Sequence, residues 1–174
     1  ALAGYTANEA VEALPTILNL AAAGGMDLAA ASDMVTDSMS ALGIAATEEN
    51  LTQFGDQLAK TAQKSNTSVA QLGEAILTVG GTAKTLAGGT TELNTLLGII
   101  ADSGVKGAEG GTKLRNIMLS LQSPTDVAAK KLKSLGVSVY DAQGKMRPMN
   151  EVLGDLNASM ENMTEAEKQN ALST

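Results

Sequence analysis

Apolar residues recur at three- and four-residue spacing along almost the whole chain, the period of helices with one buried face. Capping residues open these runs and glycines close them. Thr6-Ala7-Asn8-Glu9 reads as a capping box opening a helix with Ala10, Leu14, Ile17 and Leu18, which ends at Gly24-Gly25. Pro15, inside that run, predicts a kink or marks the helix's true first turn. Asp27 caps a second helix carrying Leu28, Met34, Val35, Met39 and Leu42, and Gly43 ends it. Thr47 opens a third with Leu51, Phe54 and Leu58. Ser68-Val69-Ala70-Gln71 is a second capping box; its helix buries Leu72, Ile76 and Val79 and weakens at Gly80-Gly81 before reaching Leu86. After Gly88-Gly89, Thr90 or Thr91 begins a helix with Leu93, Leu96, Leu97 and Ile100.

A glycine-dense break follows, with Gly104, Gly107, Gly110 and Gly111 inside eight residues. Such a break supplies positive φ after a helix or lets two backbones approach closely. The pattern then resumes with Leu114, Ile117, Met118 and Leu121. Ser123-Pro124-Thr125-Asp126 reads as a helix start with a Ser cap, Pro at the first position and an acid in the first turn. Leu132 and Leu135 follow, and Gly136 stops that helix. Val137-Ser138-Val139-Tyr140 alternates and is β-branched, Asp141-Ala142-Gln143-Gly144 is a turn, and Lys145-Met146-Arg147 returns. This predicts a short β-hairpin, lying on the helices because an isolated one is marginal. Val152, Leu153 and Leu156 form another helix, and Thr164-Glu165-Ala166-Glu167 caps a last one.

The expected fold is therefore all-α, a multi-helix domain of short helices with glycine breaks and one small β-hairpin. Residues 1–135 form a helical core, and residues 136–174 carry the hairpin and the C-terminal helices. An internal echo pairs Ala23-Gly24-Gly25, ahead of a helix ending at Leu42-Gly43-Ile44, with Ala87-Gly88-Gly89, ahead of one ending at Ser103-Gly104-Val105. It reads either as two related helical units or as chance, since helix-Gly-apolar is a common ending. A chain that starts without Met and stops inside a polar helix pattern reads as an excerpt of a longer protein.

Composition narrows the core. One Phe, two Tyr and no Trp leave Ala, Leu, Val, Ile and Met to supply the 44% hydrophobic content. Small side chains bury less area each, so close helix packing and modest stability are expected. The net charge of −7 argues against binding a phosphate backbone, which needs Lys and Arg clusters. The basic clusters are Lys130-Lys131-Lys133, in a last helical turn where cations suit the helix dipole, and Lys145 with Arg147. No run of about 18 apolar residues predicts a spanning helix, and the start lacks the pattern of a secretion signal.

Reactive chemistry is sparse. With no His and no Cys, the usual general bases, nucleophile triads, thiolate and zinc sites are unavailable. Glu48-Glu49 sits in a first helical turn, and Asp33 and Asp37 share one face as a solvated pair. Neither forms the two-carboxylate cleft of a glycosidase. Gly80-Gly81-Thr82-Ala83-Lys84-Thr85 lacks the Gly before Lys and the preceding strand of a phosphate loop. The spacing of Gly107 and Gly111 is GxxxG, but in a polar segment it says nothing of membranes. The Asp141 turn has too few oxygens in register for calcium. No cofactor, metal or catalytic residue is expected.

The glycine break resembles the core region of tail tape-measure proteins of long-tailed bacteriophages and prophages, where a run like G-I-K-G-x-x-A-G-T-x-L-R joins two helices. Gly104, Val105, Lys106, Gly107, Gly111, Thr112, Leu114 and Arg115 match it; Gly110 stands where the family more often has alanine. Asn66-Thr67-Ser68-Val69 upstream, Glu9-Ala10-Val11-Glu12-Ala13-Leu14 and Asp27-Leu28-Ala29 near the start, and Leu135-Gly136-Val137 with Asp141-Ala142-Gln143-Gly144-Lys145 and Arg147-Pro148 extend the likeness over nearly the whole chain. The resemblance implies a structural virion protein rather than an enzyme. It would set tail length, act in tail assembly and leave with the DNA at genome ejection. The implied partners are tail tube protein, tail-tip or baseplate proteins, tail assembly chaperones and further copies of itself, without direct nucleic-acid binding. The implied location is the tail lumen, after assembly in the host cytoplasm. Other readings are a helical oligomerisation or adaptor module of a phage-like particle, and a peptidoglycan-acting domain, which the missing His, Cys and aromatic groove disfavour. Within the break, Arg115 is expected to bond the carbonyls ending the preceding helix and so fix the angle between the two.

Overall fold

The computed structural model describes the backbone of residues 7–173 and the side chains at 11 and 13–173. Among these residues the chain forms nine α-helices: α1 (Ala7–Gly24), α2 (Leu28–Leu42), α3 (Glu48–Lys64), α4 (Val69–Val79), α5 (Gly89–Asp102), α6 (Gly107–Gln122), α7 (Asp126–Ser134), α8 (Met149–Ser159) and α9 (Glu165–Leu172). A 3-10 segment, Gly80–Thr85, continues α4 where the sequence weakens at its glycine pair.

Helix starts follow the capping chemistry. Asp27 accepts the amides of Ala29 and Ala30 at 2.8 and 3.0 Å. Thr47 accepts the Asn50 amide. Ser68 and Gln71 form a reciprocal box at α4, and Thr164 and Glu167 form one at α9. Each such cap contributes about 1 kcal/mol. The box expected at Thr6 falls outside the described residues. Pro15 lies inside α1, which runs through it rather than starting there.

Four of the nine described helices, α1, α2, α5 and α7, end by one device. At Gly25-Met26, Gly43-Ile44, Gly104-Val105 and Gly136-Val137 the glycine has positive φ. Its amide reaches back three residues, and the following apolar residue's amide reaches back five: Met26 to Ala21, Ile44 to Met39, Val105 to Ile100 and Val137 to Leu132. This is the Schellman arrangement, in which the left-handed turn satisfies otherwise orphaned carbonyls. Because it closes four helices, the Gly-apolar ending does not by itself mark a repeated unit.

Helix α4 sits at the centre, against α1, α2, α3, α5 and α6. Its Val69, Leu72, Ala75, Ile76 and Val79 are all buried. Ile17 and Leu20 of α1, Val35 and Met39 of α2, Leu51, Phe54 and Leu58 of α3, Leu93 and Leu97 of α5, and Leu114 and Met118 of α6 complete one core cluster. The sole Phe is thus fully committed to it. Val137, Val139, Met146, Met149 and Val152 add the C-terminal segment to the same cluster.

Two expectations need correction. The first is the hairpin: among the described residues there is no strand, only an isolated antiparallel bridge between Tyr140 and Met146. The alternation itself is real, with Val137 and Val139 buried and Ser138 and Tyr140 exposed. Pairing stops because Asp141 closes a turn on itself. Its carboxylate accepts the amides of Gln143 and Lys145, so the turn takes the Lys145 amide, and the bridge keeps only two backbone bonds, from the Asp141 amide to the Lys145 carbonyl and from the Arg147 amide to the Val139 carbonyl. Pro148 then caps α8, leaving only Met146 and Arg147 to return along the chain. The second correction concerns α7. Its N-cap is Thr125, which accepts the Ala128 amide, while Ser123 is the C-cap of α6. Pro124 falls between two caps instead of at a first helical position.

Candidate functional site

The glycine break between α5 and α6 converges with the Asn66-Thr67-Ser68-Val69 segment that opens α4. Helix α5 ends at Ser103, whose hydroxyl donates to the carbonyls of Ile99 and Ile100 at 3.2 and 3.0 Å. Gly104, at φ 92°, donates its amide to Ala101, and Val105 donates to Ile100. Lys106 then occupies the N-cap of α6, with no side-chain cap of its own. Its ammonium instead reaches across to Asn66 Oδ1 at 2.7 Å, while the Asn66 amide donates to Asp102 Oδ1 at 2.7 Å. The connection entering α4 is thereby clipped to both sides of the break. Asn66 and Lys106 lie forty residues apart, so sequence alone could identify each but not join them.

Past the break, α6 lies directly on α4. Gly107, Gly110, Gly111, Leu114 and Met118 form its buried face. A β-carbon at Gly111 would stand 2.8 Å from Thr78 Cβ and closer still to the Ala75 carbonyl oxygen. Only glycine allows the two helix backbones to approach this far. A β-carbon at Gly110 would meet the Val105 carbonyl at 3.0 Å, so alanine there would need a shift of a few tenths of an ångström in the backbone of the break. Thr112 donates to the Ala108 carbonyl on the exposed side.

Arg115 does not fill its expected role. It is exposed, and the carbonyls ending α5 are already taken by Ser103, Gly104 and Val105. The contacts that join α5, α6 and α4 at the break run through the glycines and the Asn66–Lys106 bond.

Glu92 was not singled out by sequence reasoning. It is buried, at 9% exposure. One carboxylate oxygen accepts the Gly88 amide at 2.8 Å, and the other accepts the Met149 amide at the start of α8. An acid in a first helical turn is the only local signal, and it looks the same as a solvated one. Nearby, Gln122 donates to Thr85 at 2.6 Å, and the Tyr140 hydroxyl donates to the Gln122 carbonyl at 2.9 Å. Arg147 donates to Asp155, Glu151 and the Ser138 carbonyl. The hydrogen bond to Asp155 is the main cause holding its pKa above the usual arginine value.

The remaining sequence candidates stay apart from the break. Asp33, Asp37, Glu48 and Glu49 are exposed. The Gly80–Thr85 run is 3-10 backbone following a helix, not a loop following a strand. Among the described residues no cluster of His, Cys, Asp and Glu is suited to hold a metal. What the break can do is mechanical: it fixes how two thin helices cross.

The sequence profile of the phage-related minor tail proteins matches residues 1–174. The tape measure protein of Pneumococcus phage Dp-1 is 34% identical over all 174 residues, which is 15% of that protein's length. The probable tape measure protein of Escherichia phage P2 is 27% identical over 161 residues, covering 92% of this chain and 20% of the relative. The chain thus spans a fifth or less of the curated relatives it matches. No solved structure matches. On this whole-length match, the glycine-jointed helical chain belongs to the phage-related minor tail protein family and corresponds to a region of phage tail tape measure proteins.

Proposed function

We propose that this chain is a structural segment of a tape measure protein that sets tail length, acts in tail assembly and leaves with the genome at ejection, without catalysing a reaction. The observation that carries this reading is the match to the Dp-1 tape measure protein over the whole of this chain. The physical design supports it. The core is built from aliphatic side chains around a single Phe, and glycine joints let short helices lie almost backbone to backbone. Elements this thin suit the lumen of a tail tube. The partners in this reading are tail tube protein, tail-tip or baseplate proteins, assembly chaperones and further copies of the chain.

In-frame deletion of these residues from the parent gene, read out as tail length by electron microscopy, tests the proposal. A segment of 174 residues laid out as one helix spans roughly 260 Å at ~1.5 Å per residue. Tails shortened by that amount would make the segment part of the ruler. Normal tails of unchanged length would remove the length-setting role, and loss of all tails would make it a folded docking element of assembly.

A further inference from the structure

The charges of this chain are segregated. Eight of its nineteen acidic residues lie before Lys60, and none of its twelve Lys and Arg residues does. The lobe formed by α1, α2 and most of α3 is purely acidic, whereas the remainder of the chain is nearly balanced. Asp33, Asp37, Glu48, Glu49 and Asp56 are all exposed, and none is in a salt bridge among the described residues. They sit on α2 and α3, the two helices packed against α1 along with the central α4.

Among the described side chains, helix α1 carries apolar residues on its outer as well as its inner side. Ala13, Ile17 and Leu20 are buried in the core. Val11, Leu14 and Leu18, at i, i+3 and i+7, form a second stripe and are 70%, 41% and 48% exposed. Pro15 and Ala22 extend that exposed face. From Ala13 to Met26 the chain carries no charge. A surface helix ordinarily puts its charges on the side away from the core, so an uncharged outer stripe marks a face made to be covered.

We propose that the outer face of α1 docks a basic amphipathic helix of a partner protein. Its apolar residues seat on Val11, Leu14 and Leu18, and its flanking Lys and Arg residues meet the carboxylates of α2 and α3. Charge complementarity selects this occupant. A second copy placed lobe to lobe would bring together two surfaces that are acidic apart from Lys84, which reaches Gly43 at the end of α2, and an anionic lipid surface would be repelled in the same way. No single described helix is long and apolar enough to cross a membrane; α1 and α2 reach that length and composition only together, bent by 108° at their break. The surface does not depend on any role in tail length, so its test is independent of that reading.

The test is isothermal titration of the whole chain with a short amphipathic Leu–Lys helical peptide, beside a Leu–Glu peptide of the same apolar pattern. The expected result is saturable binding of the first and none of the second, weakening as salt is raised. Leu14→Ser with Leu18→Ser leaves the charge unchanged and, because both side chains are about half exposed and Ser is the weaker helix former, should lower the melting temperature only modestly, yet should weaken affinity by roughly tenfold or more at a temperature where the variant remains folded by circular dichroism. Asp33→Asn with Asp37→Asn should flatten the salt dependence. Equal affinity of the serine variant, or equal binding of the Leu–Glu peptide, would overturn the proposal. So would a dimer of the chain, or adsorption to neutral lipid vesicles, that the two serines abolish, since a second copy or a membrane would then be the occupant.

Discussion

Glu92 at the start of α5 accepts the backbone amide of Met149 at the start of α8, fifty-seven residues further along the chain. The same carboxylate accepts the Gly88 amide, so one buried side chain fixes both a helix entry and the docking of the C-terminal segment. Hydrogen bonds to a charged group contribute about 1.5–3 kcal/mol, and a buried donor left without an acceptor costs about 1–3 kcal/mol. Glu92→Ala is therefore expected to lower the unfolding free energy by roughly 2–4 kcal/mol in urea titrations. Amide exchange at Met149 should accelerate more than exchange in α4. A loss below roughly 0.5 kcal/mol, the range of ordinary surface changes, would mean that the carboxylate bears little of the docking.

The crossing of α6 over α4 makes a sharper test, because two helical glycines should respond in opposite directions. Replacing Gly with Ala in a helix interior ordinarily stabilises by about 1 kcal/mol. Gly154 in α8 has open space around its missing β-carbon, so Gly154→Ala should raise stability by up to that amount. At Gly111 the new methyl would collide with the Ala75 carbonyl. The helices must separate, and overpacking of this kind costs about 1–3 kcal/mol. Gly111→Ala should therefore destabilise despite its better propensity. Stabilisation at both positions would show that the close approach is not a constraint.

The clip and the arginine beside it also separate. Lys106→Ala removes the bond to Asn66 and should accelerate amide exchange at Asn66, with a stability loss of about 0.5–1 kcal/mol for a partly exposed polar contact. Arg115→Ala touches no such bond and should stay within about 0.5 kcal/mol of the parent. A clear drop in melting temperature for Arg115→Ala would restore the anchoring role that its place in the motif suggests.

These contrasts show which parts of the fold can be read locally. Asp27, Thr47, Ser68 and Thr164 cap as expected, because a cap is decided within four residues. The glycine endings at Gly43, Gly104 and Gly136 are legible for the same reason. Ser123 and Thr125 compete two residues apart, and only the path of α6 settles which of them opens α7. The hairpin misreading has a similar origin: alternation correctly put Val137 and Val139 inside, but burial against helices satisfies that alternation without a partner strand. At the candidate site, the glycines were identifiable as a joint, while the carbonyl that Gly111 approaches was not. Glu92 was invisible, because what distinguishes it from other first-turn acids is an amide more than fifty positions away.

The last helix offers a prediction in pH. Glu167 closes the capping box of α9, accepting from the Thr164 amide and hydroxyl, both at 2.8 Å. The Thr164 backbone bond, and then its side-chain bond, hold the Glu167 pKa below the ordinary glutamate value. A carboxyl with a lowered folded-state pKa contributes stability that is fully present above its unfolded pKa, about 4.3. That contribution is lost as pH falls through the folded value. Helix α9 should accordingly fray in acid before the core does. Carboxyl-detected NMR titration should place Glu167 below the ordinary glutamate value of about 4.3. Glu167→Gln keeps an acceptor without the titrating charge, so it should remove the acid-dependent part of the fraying. An acid-fraying profile in Glu167→Gln identical to the parent's would assign the pH response to some other carboxylate.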